Sequence, residues 1–269
     1  MLDETSSSVV LSPHLDDAAL SCWSVLSETK ATVVNVFAGV PAPGVVGEWD
    51  RVVGSTDGAS LVAMRRREDR VALHELGCQA VYLDFLESQY RDGDSVEDIV
   101  ATIRNALGDA TEIVVPAGIG GHPDHLQVRA AALRIAAASC LPLRLYAELP
   151  YAAAFGWPAW VTGMPANGRL DIDAYWDLFL AEEFGNWRSL NCDIRRLDDQ
   201  DHRTKLACLE RYETQFALLN GGPLERLRNP AITGFEALLT LVPETLSANT
   251  FEQTQSLLGR FLRRQDERI

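Results

Sequence analysis

Along its first half the chain alternates short apolar runs with helical stretches, and that alternation leaves few architectures open. Residues 9–11, 31–38, 79–85, 113–117 and 143–147 read as strands, and 18–26, 60–76, 96–107 and 126–138 read as helices from the spacing of their apolar positions. Strands separated by helices build a mostly parallel sheet with helices on both faces, a Rossmann-like α/β arrangement. The helix over 60–76 should stop at Gly77, where a left-handed cap is expected. The Gly- and Pro-rich stretch 39–58 is too long to be a mere connector and reads as a flap beside the substrate, the alternative being a disordered insertion. Beyond Pro150 the pattern loosens: 157–160 and 165–168 are turn-rich, whereas 175–183, 204–219 and 251–264 look helical. The expectation is one domain over 1–269, with 1–150 as the α/β sheet core and 151–269 as a C-terminal helical elaboration. The 47% of hydrophobic residues can fill a core of that size.

Two of the strand runs end in residues that carry chemistry. The first leads into Ser12-Pro13-His14-Leu15-Asp16-Asp17, and the fourth into Gly120-Gly121-His122-Pro123-Asp124-His125. Both clusters fall at carboxyl ends of strands, where open α/β sheets bind their ligands. Proline favours the first helical position and holds the residue before it extended. His122 should therefore lie in the loop and His125 in the first helical turn. Neutral imidazoles and carboxylates are zinc ligands, and a further carboxylate beside them can act as a base without ligating. Any one of these residues alone reads more naturally as a packing residue or a helix N-cap. Two such clusters at one sheet edge favour a joint site. A nucleotide-binding Rossmann protein would instead need a glycine fingerprint in the first turn, which this chain lacks.

Composition excludes other classes. A net charge of -14 and a pI near 4.8 argue against a nucleic-acid partner, since phosphates require clustered cations. Residues 1–8 lack the basic segment and apolar core of a signal peptide, and no stretch approaches the roughly 20 apolar residues of a membrane span. The five cysteines form neither a metal-type pair nor a disulfide framework. A cytoplasmic protein with reduced thiols, its cysteines serving as small core residues, is expected.

The clusters His14-Leu15-Asp16-Asp17 and His122-Pro123-Asp124-His125 resemble the paired motifs of the LmbE-like or PIG-L family, zinc-dependent de-N-acetylases of amino-sugar conjugates. Supporting matches are Arg65 and Glu68 with Leu76-Gly77, the stretch Tyr146-Ala147-Glu148-Leu149-Pro150-Tyr151, and Lys205 with Tyr212 and Gln215. Phe85-Leu86-Glu87-Ser88-Gln89-Tyr90-Arg91 and Leu218-Leu219-Asn220-Gly221 look most like the branch that deacetylates glycopeptide antibiotics of the teicoplanin type. The resemblance implies one Zn2+ per chain held by His14, Asp17 and His125, with Asp16 as the base. It further implies that His122 hydrogen-bonds the oxyanion, that Asp124 orients or charges a neighbouring imidazole, and that Arg65 and Glu87 contact substrate hydroxyls. The implied substrate is a small-molecule N-acetylglucosaminyl conjugate of natural-product or glycoconjugate biosynthesis; a homo-oligomer is compatible with all of this. Leu15 and Ala18 depart from the family's commonest first motif without removing a ligand or the base. Gly120 stands where some members carry a tyrosine proposed to help hold the oxyanion. The alternative, a noncatalytic sugar-binding or nucleotide-binding Rossmann-like protein, would be expected to lose a ligand or the base, and all are present. His74 and His202 belong to no matching motif.

Overall fold

The structure, a computed structural model, describes residues 7–92, 95–153, 156–165, 171–221 and 225–241. Among the described residues seven strands form one sheet: β1 (Ser8–Ser12), β2 (Thr32–Asn35), β3 (Gln79–Tyr82), β4 (Glu112–Pro116), β5 (Leu143–Tyr146), β6 (Asn191–Arg196) and β7 (Phe235–Leu241). Their order is β3-β2-β1-β4-β5-β7-β6. The first five, all anticipated from sequence, pair in parallel, whereas β7 runs antiparallel to both β5 and β6. Parallel strands must be covered on both faces, and Val9, Val10 and Leu11 of β1 are accordingly buried. From β1 the chain first builds outward through β2 and β3, then returns to place β4 on the other side. β1 and β4 therefore flank the point where strand order reverses, and they are the strands that carry the two chemical clusters.

Eleven α-helices are found among the described residues: α1 (Asp17–Ser21), α2 (Trp23–Thr29), α3 (Glu48–Val53), α4 (Gly58–Glu75), α5 (Val96–Ala106), α6 (Pro123–Ser139), α7 (Ala159–Thr162), α8 (Ile172–Phe184), α9 (Asp199–Leu209), α10 (Glu213–Leu219) and α11 (Pro230–Thr233). After α4, Gly77 adopts φ +73°, the left-handed conformation its place in the sequence predicts. The helix expected over 18–26 breaks at Cys22. Its second half starts afresh because Glu236 of β7 accepts hydrogen bonds from the Ser24 backbone N–H and hydroxyl, satisfying a donor that a new first turn leaves free.

The region beyond 150 departs further from expectation. The single helix anticipated over 204–219 is two, α9 and α10, because Tyr212 leaves the helical conformation and donates its hydroxyl to Asp69 at 3.0 Å. The same region contributes β6 and β7, so part of the expected helical elaboration is an antiparallel edge of the sheet. The helix anticipated over 251–264 lies outside the described residues. Of the cysteines, 22, 78 and 208 are buried as expected; Cys140 is exposed because it caps α6 in a left-handed conformation, and Cys192 is half-buried on edge strand β6.

Lys205 of α9 ties the helical layer to the sheet. Its Nζ lies 2.7 Å from Glu236 Oε1, and both side chains are 0% exposed. Removing one member of such a pair strands a buried charge, so Lys205→Met should cost about 3–5 kcal/mol. Urea unfolding measures it; an unchanged midpoint would show that the pair contributes nothing.

Candidate active site

His14, Asp16 and Asp17 follow β1, and His122, Asp124 and His125 follow β4 through a glycine-rich turn. Pro123 opens α6, which puts His122 just outside the helix and His125, fully buried, in its first turn. Asp16 precedes α1 with its side chain making no capping hydrogen bond, so the N-cap reading does not describe it. The Asp17 carboxylate accepts the His14 backbone N–H at 2.9 Å, which folds the motif back on itself.

Three donor atoms converge. His14 Nδ1 and His125 Nε2 each lie 3.2 Å from Asp17 Oδ2, and the two nitrogens are 3.3 Å apart. A tetrahedral ion with bonds of roughly 2.0–2.1 Å requires ligand atoms about 3.3–3.4 Å apart, so this triangle fits one face of such a site and leaves the fourth position open. Each imidazole is fixed from behind by a carboxylate. Asp124 Oδ2 stands 2.9 Å from His14 Nε2, and Glu148 Oε1 stands 3.2 Å from His125 Nδ1. With those nitrogens protonated, the lone pairs of His14 Nδ1 and His125 Nε2 face the triangle, the arrangement that metal-ligating histidines favour. His122 also brings a nitrogen within 4.8 Å of the other two imidazoles. An all-histidine set is looser than the Asp17 triangle and would leave the buried Asp17 charge without its cation.

Burial opposes protonation of both His14 and His125, yet Asp124 and Asp17 raise the former well above its ordinary value, and Asp17 and Glu148 raise the latter to about 9. Asp17 resists burial and is held well below the carboxylate range by His125 and His14. These opposed shifts mark a pocket with surplus negative charge, suited to a divalent cation. Asp16, free of the triangle, is pushed up to about 7 by burial and by Asp17. A carboxylate in that range can both accept and return a proton near neutrality. His122 is driven down to about 3 by burial and by the charge of His14 and His125, so it is neutral. Its Nδ1 accepts the Asp124 backbone N–H at 3.3 Å, which leaves the proton on Nε2.

The centre opens into a cavity of about 570 Å3 whose wall includes Asp16, Arg65, Glu87, Trp49, Tyr151 and Leu219. The structure brings Arg65 and Glu87 together as a buried ion pair on this wall, with Gln89 donating to the other Glu87 oxygen at 2.7 Å. The stretch 39–58 contains α3, which supplies Trp49 and Val52 to the cavity. Trp49 is held by two bonds, Nε1–H to Gln215 Oε1 at 2.8 Å and its backbone N–H to Gln89 Oε1 at 2.9 Å. Glu68 of α4 accepts both the Thr214 backbone N–H and its hydroxyl, locking α10 beside the same wall.

Two residues at the centre carried no role in the sequence reading. Glu148 lies within a matched stretch, but its grip on His125 depends on a loop folding back against the N–H groups of Gly118 and Ile119. Arg91 reaches Asp124 Oδ1 at 2.6 Å while lying 4.3 Å over the Phe37 ring, so it steadies the carboxylate that holds His14. Its place five residues before α5 gave no signal of this.

Known proteins match at several levels. The family model for PIG-L, described as GlcNAc-PI de-N-acetylase, matches residues 9–136. The 2'-N-acetylparomamine deacetylase of Streptomyces fradiae is 34% identical over 168 residues, which span 54% of this chain and 57% of that protein. Among solved structures, a triple mutant of a deacetylase of the teicoplanin biosynthetic pathway superposes with a TM-score of 0.67 at 27% identity, covering 88% of this chain and 98% of the other. The zinc-inhibited form of the teicoplanin deacetylase Orf2 gives 0.65 at 25% identity, covering 87% and 97%. Both histidine–aspartate motifs that meet at the switch point of this sheet lie within residues 9–136, the stretch that matches the PIG-L family model.

Proposed function

We propose that this protein hydrolyses the acetamide of an N-acetyl amino-sugar conjugate, releasing acetate and the free amine, with one divalent ion, zinc by donor chemistry, held by His14, Asp17 and His125. The observation that carries this reading is the triangle of donors with an uncommitted carboxylate, Asp16, beside it. An ion bound there supplies Lewis acidity and an acidified water at neutral pH. Asp16 takes the proton of the attacking water and later passes it to the departing amine. His122 offers its Nε2–H to the acyl oxygen as negative charge builds on it. Asp124 and Glu148 keep the two ligand imidazoles in the required tautomer. Arg65 and Glu87, fixed by each other, present a guanidinium and a carboxylate to sugar hydroxyls. The pair is rigid before substrate arrives, which lowers the ordering cost of binding. Reaction in the cytoplasm fits five cysteines that remain unpaired.

The larger substrate is inferred from the cavity. Besides the acidic centre, its lining includes Trp49, Val52, Leu149, Pro150, Tyr151 and Leu219, which offer apolar surface. Such a wall suits the group to which the sugar is attached, and remote contacts of that kind can position the scissile bond. A panel of N-acetyl amino-sugar conjugates is therefore expected to release acetate with the zinc-loaded protein, with a much higher kcat/KM for glycosides carrying an apolar or extended group than for free N-acetylglucosamine. Equal kcat/KM for the free sugar and for every conjugate would exclude recognition of the attached group. No acetate from any member would exclude the deacetylase reading.

A further inference from the structure

Tyr151 begins the short 3-10 turn Tyr151–Ala153, three residues after Glu148 in the loop that follows β5. One segment thus fixes a ligand imidazole and delivers a phenol to the same place. The Tyr151 ring stands edge-on to His125, with centroids 5.6 Å apart and planes at 82°, and 6.4 Å from the ring of His122. Its other support is Gly120. A Cβ at that position would come within 2.9 Å of Tyr151 Cβ and Cδ1, and φ of +88° independently restricts the position to glycine. Glycine at 120 is what lets the tyrosine ring lie down over the turn and against the imidazoles.

The ring is held, but the hydroxyl is not engaged. Tyr151 is 38% exposed, lines the cavity, and has no hydrogen-bond partner for its hydroxyl among the described residues. A phenol is a hydrogen-bond donor at neutral pH, and this one stands edge-on to His125 at the cavity wall. Donors are scarce there. Asp16, Asp17, Asp124 and Glu87 only accept when ionised, and the Arg65 guanidinium is anchored through Nη1 by Glu87. Against the imidazole of His125, His122 and Tyr151 bring uncommitted donors to the cavity wall.

We propose that the Tyr151 hydroxyl is a second donor to the acyl oxygen, acting with His122 as the planar acetamide becomes tetrahedral; this rests on the deacetylase reading above. The hydrogen bond moves no proton to the substrate, and tyrosine remains a phenol throughout. Preorganised donors of this kind are worth more to the tetrahedral oxyanion than to the planar amide, because the charge appears only on the way to the transition state.

Tyr151→Phe keeps the ring on Gly120 and on the imidazoles and removes only the hydroxyl. In the zinc-loaded protein kcat on an N-acetyl amino-sugar conjugate should fall by roughly 10²-fold, the worth of one such donor, with KM little changed. Affinity for a methylphosphonamidate analogue of the same conjugate, measured by calorimetry, should fall by a comparable factor, while affinity for the deacetylated amine and the zinc content should not change. Wild-type kcat together with wild-type affinity for the analogue would overturn the inference, and so would a rise in KM alone, which would make the ring a stacking surface for the sugar. Wild-type protein that releases no acetate would remove the deacetylase reading and the inference with it, whereas an active wild type with an equally active Tyr151→Phe removes the inference alone.

Discussion

Asp16→Asn is expected to lower turnover by about 10²- to 10⁴-fold, the usual worth of a general acid–base group, while leaving the metal content as it was. The two halves of that result follow from geometry. Asp17, not Asp16, completes the triangle with His14 Nδ1 and His125 Nε2, so in the proposed site the asparagine removes no ligand. Asp16 is only 8% exposed and makes no cap bond to α1, and burial with Asp17 beside it raises its carboxyl to about 7. An amide of the same shape can accept a hydrogen bond from water but cannot take its proton. Acetate release measured alongside elemental analysis separates the two effects. Loss of metal in Asp16→Asn, with metal and activity retained in Asp17→Asn, would require the two aspartates to exchange roles.

What could be read from sequence followed the range of the interactions involved. The clusters at His14–Asp17 and His122–His125 were legible because each packs its chemistry into consecutive residues at a strand end, and a parallel sheet then brings strand ends together at one edge. The turn that throws His122 outside α6 was legible from Pro123, and the stop of α4 from Gly77. Contacts between distant segments were not. Glu148 fixes His125 only because the β5 loop returns over Gly118, and the function of Gln215 shows only when α10 meets the indole of Trp49. Arg65 and Glu87 were singled out separately, yet nothing in the chain says that they pair. The edge strands were hidden for a different reason. Asn191–Arg196 mixes polar and apolar positions as an edge strand may, and Phe235–Leu241 carries Glu236, a residue that looks wrong for a buried strand until Lys205 and Ser24 are placed against it. Gly120 looked like the loss of a tyrosine in one segment; in three dimensions it is the seat of Tyr151 from another.

Removing Asp17 is expected to have the other large effect, abolishing both the bound ion and turnover. In the proposed site His14 and His125 alone form a two-ligand edge, and the Asp17 carboxylate adds a ligating oxygen and the negative charge that favours a cation. Replacement of His14 or His125 by alanine should likewise deplete the ion, each leaving a vacated corner of the triangle. His122 is the discriminating control, because it is near enough to belong to an all-histidine site and yet stands outside the triangle. Elemental analysis of purified wild type, Asp17→Asn and His122→Ala, each dialysed identically after zinc loading, therefore tests the centre most directly. The triangle predicts close to one ion per chain in the wild type and in His122→Ala and almost none in Asp17→Asn; full retention in Asp17→Asn with loss in His122→Ala would contradict it.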